Sequence, residues 1–330
     1  MVLRKMTFPN DFPLIGDMVV EAFQYPENPE WSIQEDERDG LMDAVKSYRR
    51  LWPLMRFFQI FSPPLRDLMV GYIWEEEGQP AGLVLLQRRG ATSNWVVGTV
   101  GVLPQFRRRG IARKLVLAGL DLIKERGGTI AFLGVISGNL PAFSLYKDVG
   151  FEKYSSDIQM EFKPSSTTPR VEPPDGYSLE SLSSSNWKVP FELEKRIAPE
   201  NTQKYEPVEE GRFKRSIFLY ILAKVFDLAQ GIRTERFCIR KNDSGQVIGR
   251  GVYEVRSRSG GRNTFFQRLD PQHAELAQFM TDYILHDITN PLTDHFIEAS
   301  YTEWQNHLSE AYLAAGFKTR TEYYRMGLIL

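Results

Sequence analysis

The chain repeats itself once. Gly78-Gln79-x-x-Gly82 returns as Gly245-Gln246-x-x-Gly249, and Pro104-Gln105 returns as Pro271-Gln272, each displaced by 167 residues. Past one deletion, Tyr146, Gly150-Phe151 and Met160 return as Tyr312, Gly316-Phe317 and Met326, displaced by 166. Self-similarity of this kind constrains the architecture more than any local propensity, because both copies must suit one topology. A length of 330 residues accommodates about two domains of ordinary size, each able to bury a core. Lys163 to Gly176, dense in Pro, Ser and Thr, reads as the connection between them. The expected organisation is a first domain over residues 1–163, a linker over 164–176 and a second domain over 177–330.

In the first copy, Val96 to Val102 alternates small and branched residues, which suits a buried strand whose glycines admit a bulge or a close ligand. Pro104 ends it. Ile111, Leu115, Ala118 and Leu122 then recur at helical spacing, so Arg107 to Gly110 form the turn that opens a helix. Free N–H groups at such a turn, the helix dipole behind them and three arginines make an anion site, and Gly110 allows close backbone approach. A second strand is expected from Thr129 to Val135, followed by Asn139-Leu-Pro-Ala-Phe143-Ser-Leu-Tyr146 and Gly150-Phe151.

These two segments resemble the GNAT superfamily of acyl-CoA-dependent N-acetyltransferases. Arg107-x-x-Gly110-x-Ala112 is similar to that family's Q/R-x-x-G-x-G/A pyrophosphate signature, and Asn139, Tyr146 and Gly150-Phe151, spaced N-x6-Y-x3-G-F here, are similar to its Asn, Tyr and Gly-Phe segment. The resemblance implies an α/β (α+β) fold of two tandem GNAT-like domains, each a mixed, splayed central sheet flanked by helices. It implies acetyl-CoA as cosubstrate, held by Val102, Leu103, Arg107, Arg108, Arg109, Gly110, Ile111, Ala112, Arg113, Asn139 and Phe143. Backbone N–H groups near Val102 would polarise the thioester carbonyl, and Tyr146 would be the general acid that protonates the departing thiolate. An amine would attack directly in a ternary complex, which needs no enzyme nucleophile.

The second copy differs where the chemistry should be. Ala274, Glu275, Leu276, Ala277, Gln278 and Phe279 stand opposite Arg107 to Ala112, with Asp270 upstream, and Gln305 replaces Asn139. Carboxylates there would repel phosphate, so this copy is expected to keep the architecture without the cofactor. Tyr312 shares the place of Tyr146 and leaves open a packing role for both tyrosines.

Elsewhere, Val2 to Thr7 reads as a strand, Asn10 or Asp11 as a cap for a helix through Leu14 to Phe23, and Gly40 to Phe61 as a helix within a long connection. Its face of Tyr48, Leu51, Trp52, Met55, Phe58 and Gln59 is either substrate wall or plain core. Glu35-Asp36-Glu37 could attract a cationic amine or simply be solvated. Met69 to Trp74 and Ala81 to Gln87 form a hairpin, and Ile158 to Phe162 one more strand.

All four histidines lie in the second copy and the first copy's central strand carries no carboxylate, so no general base is named. His295 and Glu298 are near in sequence but are no metal site by themselves, and none is expected. A net charge of −1 gives no global field for nucleic acid, and the run from Arg107 to Arg113 lacks interleaved aromatics. Cys238 stands alone, no signal-peptide core is visible and no stretch approaches ~20 apolar residues, so a cytoplasmic protein without membrane contact is expected. The expected partner is a small-molecule or peptide amine. The rival reading is a CoA-binding regulatory or scaffold protein without turnover.

Overall fold

The computed structural model describes residues 1–330, with the side chains of residues 63 and 64 left aside. The first half runs β1 (Val2–Lys5), α1 (Phe12–Ala22), α2 (Glu35–Phe61), β2 (Val70–Glu76), β3 (Gln79–Arg88), β4 (Asn94–Val102), α3 (Ile111–Glu125), β5 (Ile130–Ile136), α4 (Leu140–Val149) and β6 (Glu152–Phe162). The second runs β7 (Tyr177–Ser181), α5 (Lys188–Ile197), the single turns α6 (Glu200–Gln203) and α7 (Glu210–Phe213), α8 (Ile217–Gln230), β8 (Ile232–Lys241), β9 (Val247–Arg256), β10 (Asn263–Leu269), α9 (Ala277–Thr289), β11 (Ile297–Thr302), α10 (Ser309–Ala314) and β12 (Lys318–Ile329).

The mixed, splayed sheet flanked by helices is as the sequence led us to expect. Its continuity is not announced there: all twelve strands form one sheet in the order β1-β2-β3-β4-β5-β12-β6-β11-β10-β9-β8-β7. Only β4 with β5 and β10 with β11 pair in parallel. The halves exchange their last strands. β12 pairs with β5 from Tyr323↔Ile136 to Ile329↔Ile130, while β6 pairs with β11 from Ile297↔Phe162 to Thr302↔Asp157. The two cores follow suit: Met326 is buried among Leu115, Leu133, Tyr146 and Phe151, and Met160 among Phe265, Met280, Tyr312 and Phe317.

The segment before β7 has no regular structure, yet it is tied to the second half. Thr168 N–H donates to Thr289 Oγ1 at 2.8 Å, and Val171 packs on the core there.

The connection between α1 and β2 is filled by α2. It begins five residues before the expected start, because Gln34 and Glu37 form a capping box and Glu35, Asp36 and Glu37 are its first turn. Gly40 interrupts nothing, and a Cβ there would lie 2.9 Å from Gly261 Cα, so it serves a close backbone approach. The aromatic stripe is core. Trp52, Met55 and Phe58 meet Leu222 and Phe226 of α8, with the Tyr48 and Phe226 rings 4.6 Å apart. Asp11 sits at the N-cap of α1 but makes no cap hydrogen bond. Its carboxylate is taken by Arg4 at 2.8 Å and by Thr7 N–H at 2.6 Å. No helix among the described residues is long and apolar enough to cross a membrane.

Candidate active site

β4 and β5 pair only over Asn94–Val96 and Ile130–Phe132, then part. Opposite β3, Leu85 faces Thr99 and Leu86 faces Val97, so Gly98 is a bulge that turns β4 away from its neighbour. The parting opens a cleft of about 420 Å³ lined by Val97 to Val100, Gly134 to Ile136, Asn139 and Tyr146. At its end Leu103 N–H donates to Ala81 O at 2.9 Å. Alternation therefore turns the N–H and C=O of Val102 to the open side of the strand. Leu103 itself is buried, its N–H used within the sheet.

Beyond Val102, one turn leads to α3. Arg108 and Gly110 are left-handed, at φ 63° and 74°. The first helical bond runs from Lys114 N–H to Gly110 O, which leaves the N–H groups of Ile111, Ala112 and Arg113 without helical acceptors. A Cβ at Gly110 would meet nothing within 4 Å, so the outer face of the turn is open. These features suit a diphosphate. The arginines are not equivalent. Arg107 donates to Val102 O at 3.2 Å and Ala22 O at 3.1 Å, and Arg109 pairs with Glu76 at 3.0 Å. Arg108 and Arg113 are exposed and make no ion pair among the described residues. Ile111 is a core residue that offers only its backbone, and Ala112 is half-buried.

Asn139 caps α4, its Oδ1 accepting from Ala142 N–H at 3.3 Å. Phe143 sets its ring against Tyr324 of β12, 5.5 Å away. Tyr146 is 7% exposed and lines the cleft. Burial, with Tyr25 nearby, pushes its hydroxyl well above the ordinary tyrosine range, so it carries its proton at neutral pH.

The structure adds residues that the sequence did not bring together: Tyr25, Trp31, Glu37, Arg320 and Tyr323 also line the cleft. Arg320 and Tyr323 come from β12, so the second half completes the wall. Glu37 is neither a free amine trap nor solvated. Arg320 grips both its oxygens, one at 2.8 Å, and Gln34 N–H donates to it at 2.9 Å. Burial works against its charge, but these partners hold its carboxyl below the usual range. No local pattern signals this pairing across 283 residues; the acidic triplet alone marks the place.

The second half has the same parting between β10 and β11, but it is closed. Asp270 N–H donates to Ile248 O at 2.7 Å, as Leu103 does to Ala81. Leu269, the counterpart of Val102, has both backbone groups taken by fully buried Gln305: its N–H donates to Oε1 and its C=O accepts from Nε2, each at 2.9 Å. Asp270 pairs with Arg196 at 3.1 Å. Tyr312 is 0% exposed and its hydroxyl has no partner among the described residues.

A splayed sheet with a turn of free N–H groups at its end is thus built twice here and left open once. Residues 30–151 match the Acetyltransferase (GNAT) family. Two relatives are mycothiol acetyltransferases. That of Thermomonospora curvata is 34% identical over 96 residues, covering 26% of this chain and 32% of the relative. That of Rhodococcus erythropolis is 27% identical over 137 residues, covering 41% and 40%. The chain thus spans well under half the length of either. Whole-chain similarity lies in the fold: a GCN5-related N-acetyltransferase from Sphaerobacter thermophilus aligns over 99% of this chain and 95% of its own, with TM-score 0.63 and 14% identity. A tandem GNAT protein from the clavulanic acid biosynthesis pathway aligns over 99% and 98%, with TM-score 0.59 and 16% identity.

Proposed function

We propose that this chain is an acetyl-CoA-dependent N-acetyltransferase whose first half, residues 1–163, holds the cosubstrate and transfers the acetyl group to a primary amine by direct attack in a ternary complex. The second half, residues 177–330 beyond the linker 164–176, is silent toward CoA and walls the acceptor side. The observation that carries this reading is the contrast between Val102, whose N–H is left free on the open side of β4 while its C=O accepts only from Arg107, and Leu269, whose N–H and C=O are both taken by Gln305.

Acetyl-CoA supplies an acyl thioester, whose transfer to an amine forms an amide and frees a thiol. The backbone at Arg108 to Arg113 would hold its diphosphate, Arg108 and Arg113 adding charge from solvent. Asn139 and Phe143 shape the wall of α4. Val102 N–H is aimed where negative charge develops on the carbonyl oxygen. Tyr146 supplies a proton from its hydroxyl. Glu37 has both oxygens engaged and a depressed pKa, so it serves to fix the wall rather than to accept a proton. The acceptor nitrogen therefore enters neutral, and the proton it loses on forming the amide passes through water to restore the Tyr146 hydroxyl that protonated the thiolate. The names of the two relatives favour a small-molecule amine over a peptide.

The test is release of thiol from acetyl-CoA across a panel of small amines, amino acids, aminoglycosides and peptides. Gly110→Asp is the control, since it sets a carboxylate where the diphosphate would lie. Thiol release by the parent and none by Gly110→Asp is expected. CoA binding without turnover on any amine would instead favour a regulatory or scaffold role.

A further inference from the structure

A second cavity, of about 970 Å³, lies between the halves beneath α2 and α8, reaching from Val96 and Phe132 to Arg250 and Glu254. Seven basic side chains line it, against the carboxylates of Glu194, Asp227 and Glu254. Its floor is odd. Arg250 of β9 and Arg268 of β10 are direct cross-strand partners, a like-charge pair on one face of the sheet. Both guanidinium groups lie over the Phe266 ring, at 5.3 and 4.1 Å.

Two carboxylates act on this pair: Asp157 of β6 on Arg268 alone, and Glu194 on both arginines. The two oxygens of Glu194 are used by Arg250 at 2.6 Å and Arg212 at 3.1 Å. Arg268 is 5% exposed, forms no ion pair among the described residues and donates only to Gln267 O at 3.2 Å. The Nε atoms of Arg250 and Arg268 are both buried without a protein partner. Burial lowers the Arg268 pKa to about 10, against the pull of Glu194, which still leaves it charged at neutral pH.

The fold does not demand this. Displaced by 167 residues, Arg250 and Arg268 correspond to Leu83 and Gly101. Leu83 sits in an apolar cluster with Ile15, Met18, Ala22 and Leu103, and a Cβ on Gly101 would touch Ala22. At these positions the second half has exchanged apolar packing for three arginines, of which Arg212 and Arg250 share Glu194 and Arg268 has no direct ion pair among the described residues, only the charges of Glu194 and Asp157 nearby. An uncompensated buried guanidinium is strongly unfavourable, so the exchange acquires a purpose only when a further negative charge is present.

We propose that the central cavity is a binding site for a small anionic molecule bearing phosphate or carboxylate groups, received by Arg212 and Arg250 in the field of Arg268. It is separate from the turn at Gly110 and does not depend on acetyl transfer.

The experiment is thermal unfolding of full-length protein against increasing inorganic phosphate or citrate, with chloride at matched ionic strength as reference. It is run on Gly110→Asp, in which the other anion site is blocked, and on the same chain with Arg268→Met added. The expected result is a Tm that rises with phosphate or citrate beyond chloride in Gly110→Asp, with an apparent Kd at least about tenfold weaker once Arg268 is gone. A Gly110→Asp protein that responds no more than to chloride overturns the proposal, whatever the double variant does. A double variant that keeps the full response overturns it equally.

Discussion

Gln305 and Leu269 are joined by two hydrogen bonds of 2.9 Å, one in each direction between the side-chain amide and the strand backbone. The amide occupies the edge that a ligand would need. We expect one CoA per chain, and calorimetry on the parent should give a stoichiometry near one. Gln305→Ala should leave that number unchanged while lowering stability by about 1–3 kcal/mol, since Leu269 loses partners for two buried groups.

Tyr146→Phe should lower kcat by about 10²-fold or more with little change in CoA affinity, because proton donation of this kind is typically worth 10² to 10⁴. Tyr312→Phe should leave the rate intact and Tm unchanged or raised, since its hydroxyl is buried without a partner. With the Tyr146 pKa raised above its usual value, its titration should cause no alkaline loss of rate below about pH 10. A rate profile measured on both variants checks each point.

Acid should reveal the carboxylates between the halves. Burial opposes the charges of Glu194 and Glu206, yet Arg250 with Arg212 and Arg325 with Arg89 outweigh it and hold both at about 2. A depressed pKa gives stability that is full above the unfolded value near 4.5 and is lost as pH falls toward the folded one. Urea midpoints should therefore fall steeply from pH 4.5 to 2, and Glu206→Gln should show a lower midpoint at neutral pH and a flatter slope in that window.

Arg320→Ala should raise KM for the amine while leaving CoA affinity unchanged, because it releases Glu37 on the acceptor wall and touches nothing at Gly110. Initial rates at saturating acetyl-CoA, beside CoA titration, separate the two.

Residues 1–163 alone should not fold. Met326, Tyr324 and Leu328 of β12 belong to the first core, and full burial of such side chains is worth about 1.5–3 kcal/mol each, against a domain stability of about 5–15 kcal/mol. Circular dichroism of the fragment, with and without co-expressed 164–330, provides the measurement.

Helix α3 was legible because Ile111, Leu115 and Leu122 repeat at its own period, and all three are buried. The turn before it was legible because Gly110 is needed at a positive φ. The hidden half of the site is the part made by distance. An alternating strand such as β12 shows which face is buried but not which edge it will share, so nothing in Tyr323 or Arg320 announces the cleft of the other half. The start of α2 was missed for a local reason, since Gln34 is a weaker cap signal than Ser, Thr, Asp or Asn.

The exchange of β6 and β12 also sets a timetable. Ile130 and Ile136 of β5 find their partners at Ile329 and Tyr323, which leave the ribosome roughly 10–40 s later at about 5–20 residues per second. Throughout that interval β5 presents an open row of N–H and C=O groups, a template for any strand that arrives first. Each nascent chain is therefore ready to accept a last strand from a neighbour, and crowded synthesis should favour dimers interlocked by trading β12.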